Sequence, residues 1–199
     1  MRAAIVLNSQ NIANIEEDYI IAADAGYKHV LAQGKTPNVI IGDFDSSEMP
    51  QGFNVIKLNI EKDDTDGQAA ITYAKENNID EVVIYGVGGG RIDHQLCNLS
   101  LLCEAYKLGI NARAKEADAD IYYKETGKVS FKANIGATFS IIAFGNSVTI
   151  TNGVNTKYPI KDLTVYKFNL GRAISNQALA KDVSFEITDG AALIFVYKK

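Results

Sequence analysis

Two aspartates one residue apart, Asp43 and Asp45, follow the apolar stretch Val39–Ile41 in the segment IGDFDS. A buried strand usually ends in turn residues, and one aspartate would be enough for a turn. Two neighbouring carboxylates repel each other, so they need a turn that separates them or a cation that joins them. The pair therefore leaves two interpretations open, a turn and a metal site.

Other carboxylates follow further apolar stretches of the chain. Asp24 follows Tyr19–Ala23, the acidic segment 61–66 contains Asp64 and Asp66, and Asp93 follows a glycine-rich loop. Each of them alone could form a turn or cap a helix. Turns and caps work equally well with Asn or Ser, however, and a convergence of four carboxylates is costly without a cation. All-oxygen ligands suit Mg²⁺ or Mn²⁺ better than zinc, so the pattern predicts a magnesium site.

The glycine-rich loop GVGGGR offers groups that bind phosphate. The glycines of the segment 88–90 allow backbone N–H groups to approach an anion, and the helix predicted after them offers its positive end. Arg91 is placed to hold phosphate oxygens in a bidentate manner, and Lys62 is a second candidate cation. The loop is neither a P-loop nor a dinucleotide fingerprint. Together with the aspartates it indicates magnesium-dependent phosphoryl chemistry on a nucleotide.

The elements that must position these residues alternate between strand and helix over about the first 120 residues. The pattern predicts strands over 3–7, 19–23, 39–41, 54–58 and 81–85, and helices over 26–33, 65–76 and 94–108. The second of these helices begins with the capping-box pattern Thr65–Gln68. Such alternation predicts a mostly parallel α/β sheet, and the carboxyl ends of its strands are where such sheets bind ligands.

The sequence changes character near Glu125–Gly127. From about Lys128, short segments rich in β-branched and aromatic residues predict an all-β sandwich or barrel, with strands over 128–131, 138–144, 147–151, 163–168, 183–186 and 192–197. We therefore predict two domains, 1–125 and 126–199. The second is small for an independent core, so we expect docking or oligomerisation to support it.

Composition narrows the possible partners. The net charge is −4 and no run of Lys or Arg occurs, which argues against a nucleic-acid partner. No stretch approaches the roughly 18 apolar residues of a membrane span, and the N-terminus turns polar too soon for a signal peptide. Cys97 and Cys103 lie on different sides of one predicted helix and should not pair. Free thiols indicate a reducing, cytoplasmic setting.

The motifs above, in their order and spacing, resemble those of the thiamine pyrophosphokinase family. The resemblance rests on DAG at 24–26, GDFDS at 42–46, EKDDTD at 61–66, GGRIDH at 89–94 and ISN at 174–176, and it covers essentially the whole chain. It implies an N-terminal α/β domain and a C-terminal β-sandwich. It also implies transfer of pyrophosphate from ATP to the hydroxyl group of thiamine, which gives thiamine diphosphate and AMP.

The resemblance also implies roles for individual residues. The carboxylates that hold Mg²⁺ and position the substrate hydroxyl would be Asp43, Asp45, Asp66 and Asp93. The groups that bind ATP would be Asp24, Lys62, Asp64, Gly88, Gly89, Gly90 and Arg91. Thiamine would contact Tyr158, Ser175 and Asn176, although family members often carry Trp where this chain has Tyr158. The family forms homodimers whose active sites are shared between two chains.

Two other functions fit the same residues. A magnesium-dependent diphosphokinase that acts on a different alcohol, such as a pterin, would share the acidic loops. A non-catalytic sensor of thiamine or nucleotide would bind without turnover, although simple binding of a cationic vitamin does not require converging carboxylates. The nucleotide product formed in the presence of thiamine distinguishes these functions.

Overall fold

The computed structural model describes residues 1–10, 12–44, 49–59, 64–167, 169, 171 and 173–199. Two of the predicted site residues, Asp45 and Lys62, lie outside these ranges. The chain divides into two compact units, Met1–Ala117 and Asp118–Lys199.

The first unit is a parallel sheet with helices. Its strands are β1 Arg2–Val6, β2 Tyr19–Ala23, β3 Val39–Gly42, β4 Val55–Lys57, β5 Glu81–Tyr85 and β6 Asn111–Lys115. Its helices are α1 Gly26–Ala32, α2 Asp66–Glu76 and α3 Ile92–Lys107. The strands lie in the order β6-β5-β1-β2-β3-β4, and every pair between neighbours is parallel. The predicted α/β sheet is confirmed.

The strand order changes direction at β1. The chain runs outward from β1 through β2, β3 and β4, and then returns to the other side of β1 for β5 and β6. Loops after β1 and β5 therefore lead away from each other and leave a crevice at the carboxyl ends of these strands. Crevices at such switch points are where open α/β sheets bind ligands.

Local sequence explains where the helices α1 and α2 begin. The Thr65 side chain accepts a hydrogen bond from the Gln68 N–H (3.2 Å), and the Gln68 side chain accepts one from the Thr65 N–H (2.9 Å). This is the predicted capping box, and it fixes the start of α2. At the start of α1, a Cβ on Gly26 would collide with the Val6 carbonyl oxygen. Glycine therefore allows α1 to pack directly on the backbone of β1.

The second unit is antiparallel β-structure. Its strands are β7 Ala119–Lys124, β8 Gly127–Lys132, β9 Thr138–Val154, β10 Leu163–Tyr166, β11 Asn176–Gln177 and β12 Asp182–Tyr197. The early part of β12 pairs with β8, the late part pairs with β7, and β9 pairs with both parts. Inward-facing residues from both parts, including Phe185 and Ile194, belong to one buried cluster. The chain thus combines an α/β unit with a β-rich unit, as predicted.

Two long strands replace four predicted short ones in this unit. The predicted strands 138–144 and 147–151 are parts of β9, and 183–186 and 192–197 are parts of β12. Asp189 and Gly190 lie between the two predicted segments of β12; the register shifts of this strand occur around them, and Gly190 has a φ of 80°. Bulges bend a strand without ending it, which is why these turn-like residues do not interrupt β12.

The boundary between the units also differs from the prediction. It lies at Ala117–Asp118 and not near Glu125–Gly127. The strand β7 was not predicted, and it pairs along its length with the C-terminal part of β12. That pairing assigns the segment 118–125 to the second unit. No helix within the described ranges is both long and apolar enough to cross a membrane.

Candidate active site

A pocket of about 450 Å³ lies at the carboxyl ends of the strands of the first unit. Aspartates from four separate loops line it: Asp24 after β2, Asp43 after β3, Asp64 and Asp66 at the start of α2, and Asp93 at the start of α3. These residues are far apart in the sequence, and the parallel topology brings them together. Among the described residues, all the carboxylates that were predicted for the site line this one pocket.

Asp24 does not cap the helix that follows it. The N-cap residue of α1 is Ala25, and no side chain caps this helix end. Asp24 has a φ of 46°, and its N–H donates to the Ile41 carbonyl oxygen (2.8 Å). Its Oδ1 atom is buried and has no hydrogen-bond partner in the part of the chain that the structure describes. A buried carboxylate oxygen without a partner is unfavourable. A cation or a hydrogen-bond donor from a ligand would remove this cost.

Asp93 is paired with Arg91 at the start of α3. Its carboxylate accepts hydrogen bonds from Arg91 Nε (3.1 Å) and Nη2 (2.6 Å), and from the His94 N–H (3.0 Å). The hydrogen bond from Arg91 is the main reason that the pKa of Asp93 is lowered from its ordinary value. The side chain of Arg91 is 73% exposed and that of Asp93 is 62% exposed, so water screens this ion pair. Either partner can therefore exchange the other for a ligand.

The glycine loop takes a conformation that requires glycine at several positions. Gly86, Gly89 and Gly90 have φ values of 80°, 83° and 72°. The Gly88 N–H donates to Glu116 Oε1 (3.0 Å), and the Gly88 carbonyl oxygen accepts from the Ser9 hydroxyl group. Gly88, Gly89, Gly90 and Arg91 are not among the residues that line the acidic pocket. The structure therefore brings the aspartates together and leaves the predicted phosphate-binding loop outside the pocket lining.

The oxygen donors of the pocket are of the kind that Mg²⁺ binds. No three His, Cys, Asp or Glu side chains within the described residues are close enough to one another to hold a metal ion by themselves. Magnesium does not require such a cage, because it keeps several waters and usually binds one or two carboxylates together with substrate phosphates. The pocket provides carboxylate oxygens, including the unpartnered Oδ1 of Asp24. The residues present fit a magnesium ion that arrives with a nucleotide.

The residues predicted to contact thiamine lie together in the second unit. Asn176 is 4% exposed; its Oδ1 accepts from the N–H groups of Tyr158 (3.0 Å) and Gln177 (2.8 Å), and its Nδ2 donates to the Tyr158 carbonyl oxygen (2.9 Å). Tyr158 itself is 53% exposed, and Lys157 Nζ lies 5.6 Å from the centroid of its ring. Ser175 is exposed, has a φ of 62°, and donates its N–H to Ser140 Oγ (3.1 Å). Asn176 thus fixes the backbone of Tyr158.

Sequence reasoning missed several residues that line the acidic pocket. Asn8 follows β1, so the rule that selected Asp24 and Asp43 would also have found it. Cys97 and Asn98 lie four residues after Asp93 and His94, and this spacing places them on the same side of α3. Both cysteines are free; Cys97 is exposed and Cys103 is buried.

The fold and this pocket define the class of the protein. An open parallel sheet with its pocket at the carboxyl ends of the strands and a switch in strand order places the first unit among the α/β domains that bind ligands at this edge. Carboxylates dominate the charged groups of the pocket, which favours a ligand that is accompanied by a hard cation.

Comparison with known proteins identifies the family within this class. Residues 13–114 match the sequence model described as thiamin pyrophosphokinase, catalytic domain. A protein named thiamine pyrophosphokinase from Bacillus subtilis (strain 168) is 27% identical over 184 residues, which cover 87% of this chain and 85% of that protein. Because the match to the family model spans more than half of the chain, this chain belongs to the thiamin pyrophosphokinase family.

Solved structures share the fold over the whole chain. The thiamine pyrophosphokinase from Bacillus subtilis superposes with a TM-score of 0.87 at 24% identity, and the alignment covers 100% of both chains. The thiamin pyrophosphokinase from Candida albicans gives a TM-score of 0.79 at 15% identity, covering 100% of this chain and 89% of that chain. At these identities the structures establish the fold that the two units share with these proteins.

Proposed function

We propose that this chain transfers pyrophosphate from ATP to the hydroxyl group of thiamine in a magnesium-dependent reaction, with thiamine diphosphate and AMP as products. The observation that carries the proposal is the gathering of Asp24, Asp43, Asp64, Asp66 and Asp93 around one pocket. Membership of the thiamin pyrophosphokinase family supports the choice of this reaction. The acidic pocket supports its dependence on a cation, because converging carboxylates repel one another without one.

The proposal gives each group of residues a role. Bound Mg²⁺ would neutralise charge on the phosphates of ATP. In the proposal Asp43, Asp45, Asp66 and Asp93 are its ligands, with Asp24 and Asp64 beside them. Arg91, Lys62 and the glycine loop 88–90 hold the phosphates. Arg91 is bonded to Asp93, so we propose that it exchanges this exposed partner for phosphate oxygens.

The transfer itself forms one bond and breaks another. The hydroxyl oxygen of thiamine attacks the β-phosphorus of ATP in line with the bridging oxygen between the α- and β-phosphates. The bond from the β-phosphorus to that bridging oxygen breaks, and AMP leaves with the oxygen. The hydroxyl group has a pKa far above 7, so an aspartate of the pocket orients it and accepts its proton late in the reaction.

The second unit provides the proposed contact with thiamine. The exposed ring of Tyr158 can stack on the cationic thiazolium ring, as it already does on a cation, the Nζ of Lys157. Asn176 would act mainly by holding Tyr158, because its amide already makes three hydrogen bonds. In this proposal the unit is the β-sandwich that the family resemblance implies.

We also propose that the active enzyme is a cytoplasmic homodimer with active sites shared between chains. Ile92 and Leu96 on α3 are 75% and 65% exposed, and both flank the residues Asp93 and Cys97 that line the pocket. Exposed apolar side chains beside a site favour an interface there. If the sites are shared, mixing Asp93→Asn protein with Asn176→Asp protein should raise activity at low thiamine concentration above that of either variant alone, because mixed dimers regain one intact site. No such increase in proven mixed dimers would contradict sharing.

Product analysis tests the reaction. Purified protein is incubated with thiamine, ATP and Mg²⁺, and the nucleotides are followed by ³¹P NMR. We expect AMP and thiamine diphosphate to form together, only when thiamine is present, and to stop when EDTA removes the metal. Formation of ADP would mean attack at the γ-phosphate. Binding of thiamine without any product would favour the sensor, and turnover of a pterin alcohol in place of thiamine would favour a different diphosphokinase.

A further inference from the structure

Gly88 in the glycine loop is held from both of its ends. The Ser9 hydroxyl group donates to the Gly88 carbonyl oxygen, and the Gly88 N–H donates to Glu116 Oε1 (3.0 Å). Ser9 comes from the loop after β1, and Glu116 directly follows β6. These strands are the two neighbours of β5, which carries the glycine loop. Each neighbouring strand thus contributes one contact to the same residue.

The glycine loop packs closely on these two side chains. A Cβ at Gly89 would lie 2.6 Å from Ser9 Oγ, and one at Gly86 would lie 3.0 Å from Ser9 Cβ. A Cβ at Gly88 would lie 3.5 Å from the carboxyl carbon of Glu116. Ser9 is buried, with 8% of its surface exposed. The path of the loop is therefore set by contacts with Ser9 and Glu116 as well as by its glycines.

These contacts divide the loop into two parts. The Gly88 N–H is already bonded to a carboxylate, and a carboxylate at that position repels phosphate. Gly89 and Gly90 are exposed, have φ values of 83° and 72°, and make no hydrogen bond through their N–H groups to any part of the chain that the structure describes. Exposed N–H groups on successive glycines are suited to an anion.

We propose that Ser9 and Glu116 are positioning residues that hold Gly88, and that a phosphate group of the nucleotide is bound by the N–H groups of Gly89 and Gly90. This inference rests on the proposed function and refines it, because it removes Gly88 from the phosphate-binding residues and adds two residues that sequence reasoning did not find.

A different role for Glu116 makes the opposite prediction. If its carboxylate only occupied the place of a phosphate and were displaced by ATP, removing it would tighten ATP binding. If it positions the loop, removing it weakens ATP binding. The contact of Ser9 with the other end of Gly88 supports positioning, because two contacts on one residue fix its orientation whether or not a phosphate is present.

Variants of Glu116 separate the hydrogen bond from the charge. Glu116→Gln keeps an acceptor of the same reach and removes the charge, whereas Glu116→Asp keeps the charge and shortens the side chain. Glu116→Ala and Ser9→Ala remove the contacts. Glu76→Ala, at an exposed position at the end of α2, is the matched control.

The measurements are the KM for ATP, the KM for thiamine, kcat, and the Kd of ATP with Ca²⁺ in place of Mg²⁺. Wild-type protein is assayed first, and if it makes no thiamine-dependent AMP, the proposed function fails before the positioning role is tested. Glu116→Ala, Glu116→Asp and Ser9→Ala should each raise the KM and the Kd for ATP about tenfold, the size expected for one lost hydrogen bond. The KM for thiamine should not change.

Rescue by the isosteric variant decides the outcome. Glu116→Gln and Glu76→Ala should stay within about twofold of wild-type affinity for ATP, a difference smaller than one net hydrogen bond. Because Glu116→Gln and Glu116→Asp keep most of the side chain, the comparison remains valid if Glu116→Ala does not fold. An unchanged or lower KM for ATP in Glu116→Asp, or equal damage in Glu116→Gln and Glu116→Asp, would overturn the proposal.

Discussion

Replacing Asp24 with Asn changes one charge in the acidic pocket and keeps the size and shape of the side chain. The Oδ1 atom of Asp24 is buried and has no hydrogen-bond partner within the described chain. The residue has a φ of 46°, a conformation that Asn tolerates as well as Asp. The substitution therefore removes the charge of a carboxylate whose Oδ1 atom is buried, without adding backbone strain.

The expected stabilisation follows from the cost of that charge. A buried polar group without a partner costs about 1–3 kcal/mol, and a charged one costs more. The amide of Asn is still polar, so only part of this cost is recovered. We expect the free energy of unfolding without ligand to rise by about 1 kcal/mol, which for a chain of this length corresponds to an increase in Tm of about 2–4 °C.

The same substitution should impair function. Asp24 lies in the pocket with the other carboxylates, and the proposed reaction uses their combined charge to hold Mg²⁺ and ATP. We expect the rate of AMP formation to fall by at least about 100-fold, the scale of one lost electrostatic contribution to a transition state. The stabilisation that Mg²⁺ and ATP give the wild-type protein should also become smaller.

Thermal and urea unfolding in EDTA, repeated with Mg²⁺ and ATP, measure both effects. Asp189→Asn is the matched control, because Asp189 is exposed and lies in the second unit. It should change neither stability nor turnover. An Asp24→Asn protein that is less stable than wild type in EDTA and makes AMP at the wild-type rate would refute the reasoning about the buried oxygen.

Three further substitutions or modifications test other parts of the structure. Gly26→Ala should lower the free energy of unfolding, measured by urea titration, by about 3 kcal/mol. Gly145→Ala is the control and should have little effect, because the space around Gly145 is open. Equal free energies of unfolding for the two variants would contradict the close packing of α1 on β1. Alkylation of the exposed Cys97, which lines the acidic pocket, should inhibit the enzyme, and Mg²⁺ with ATP should protect against it. If the Cys97→Ser protein is still inhibited by the reagent, the reagent acts at a different residue. Asn176→Asp removes the N–H group that donates to the Tyr158 carbonyl oxygen. In steady-state kinetics it should raise the KM for thiamine at least about tenfold and leave the KM for ATP unchanged. A raised KM for ATP with an unchanged KM for thiamine would show that thiamine does not bind at Tyr158 and Asn176.

Much of the first unit could be predicted because its signals are local. The strands Tyr19–Ala23 and Glu81–Tyr85 were predicted at their observed bounds, since buried parallel strands are continuous apolar runs. The start of α2 follows from the capping box at Thr65. The strand β6 was missed because its sequence, NARAK, has no apolar run and buries only part of its residues. Its pairing with β5 supplies what its own sequence does not indicate.

Local signals were misleading where distant contacts decided the structure. Turn-like residues inside β12 suggested two strands, and pairing with β7, β8 and β9 makes them one. Asp24 by itself could have capped a helix, and the structure shows a half-buried side chain with a buried Oδ1 atom that caps nothing. Short-range propensity is weaker than the pairing and burial that the rest of the chain imposes.

The order of residues along the chain was enough to predict the fold class and the loops that line the acidic pocket, because strand alternation and the carboxyl-edge rule depend only on that order. The contacts between these loops and the rest of the protein depend on the folded chain. Glu116 reaches Gly88 from 28 positions away, and Asn176 reaches Tyr158 from 18 positions away. Such hydrogen bonds form between residues that only the folded sheets bring within about 3 Å, and no spacing in the sequence encodes them.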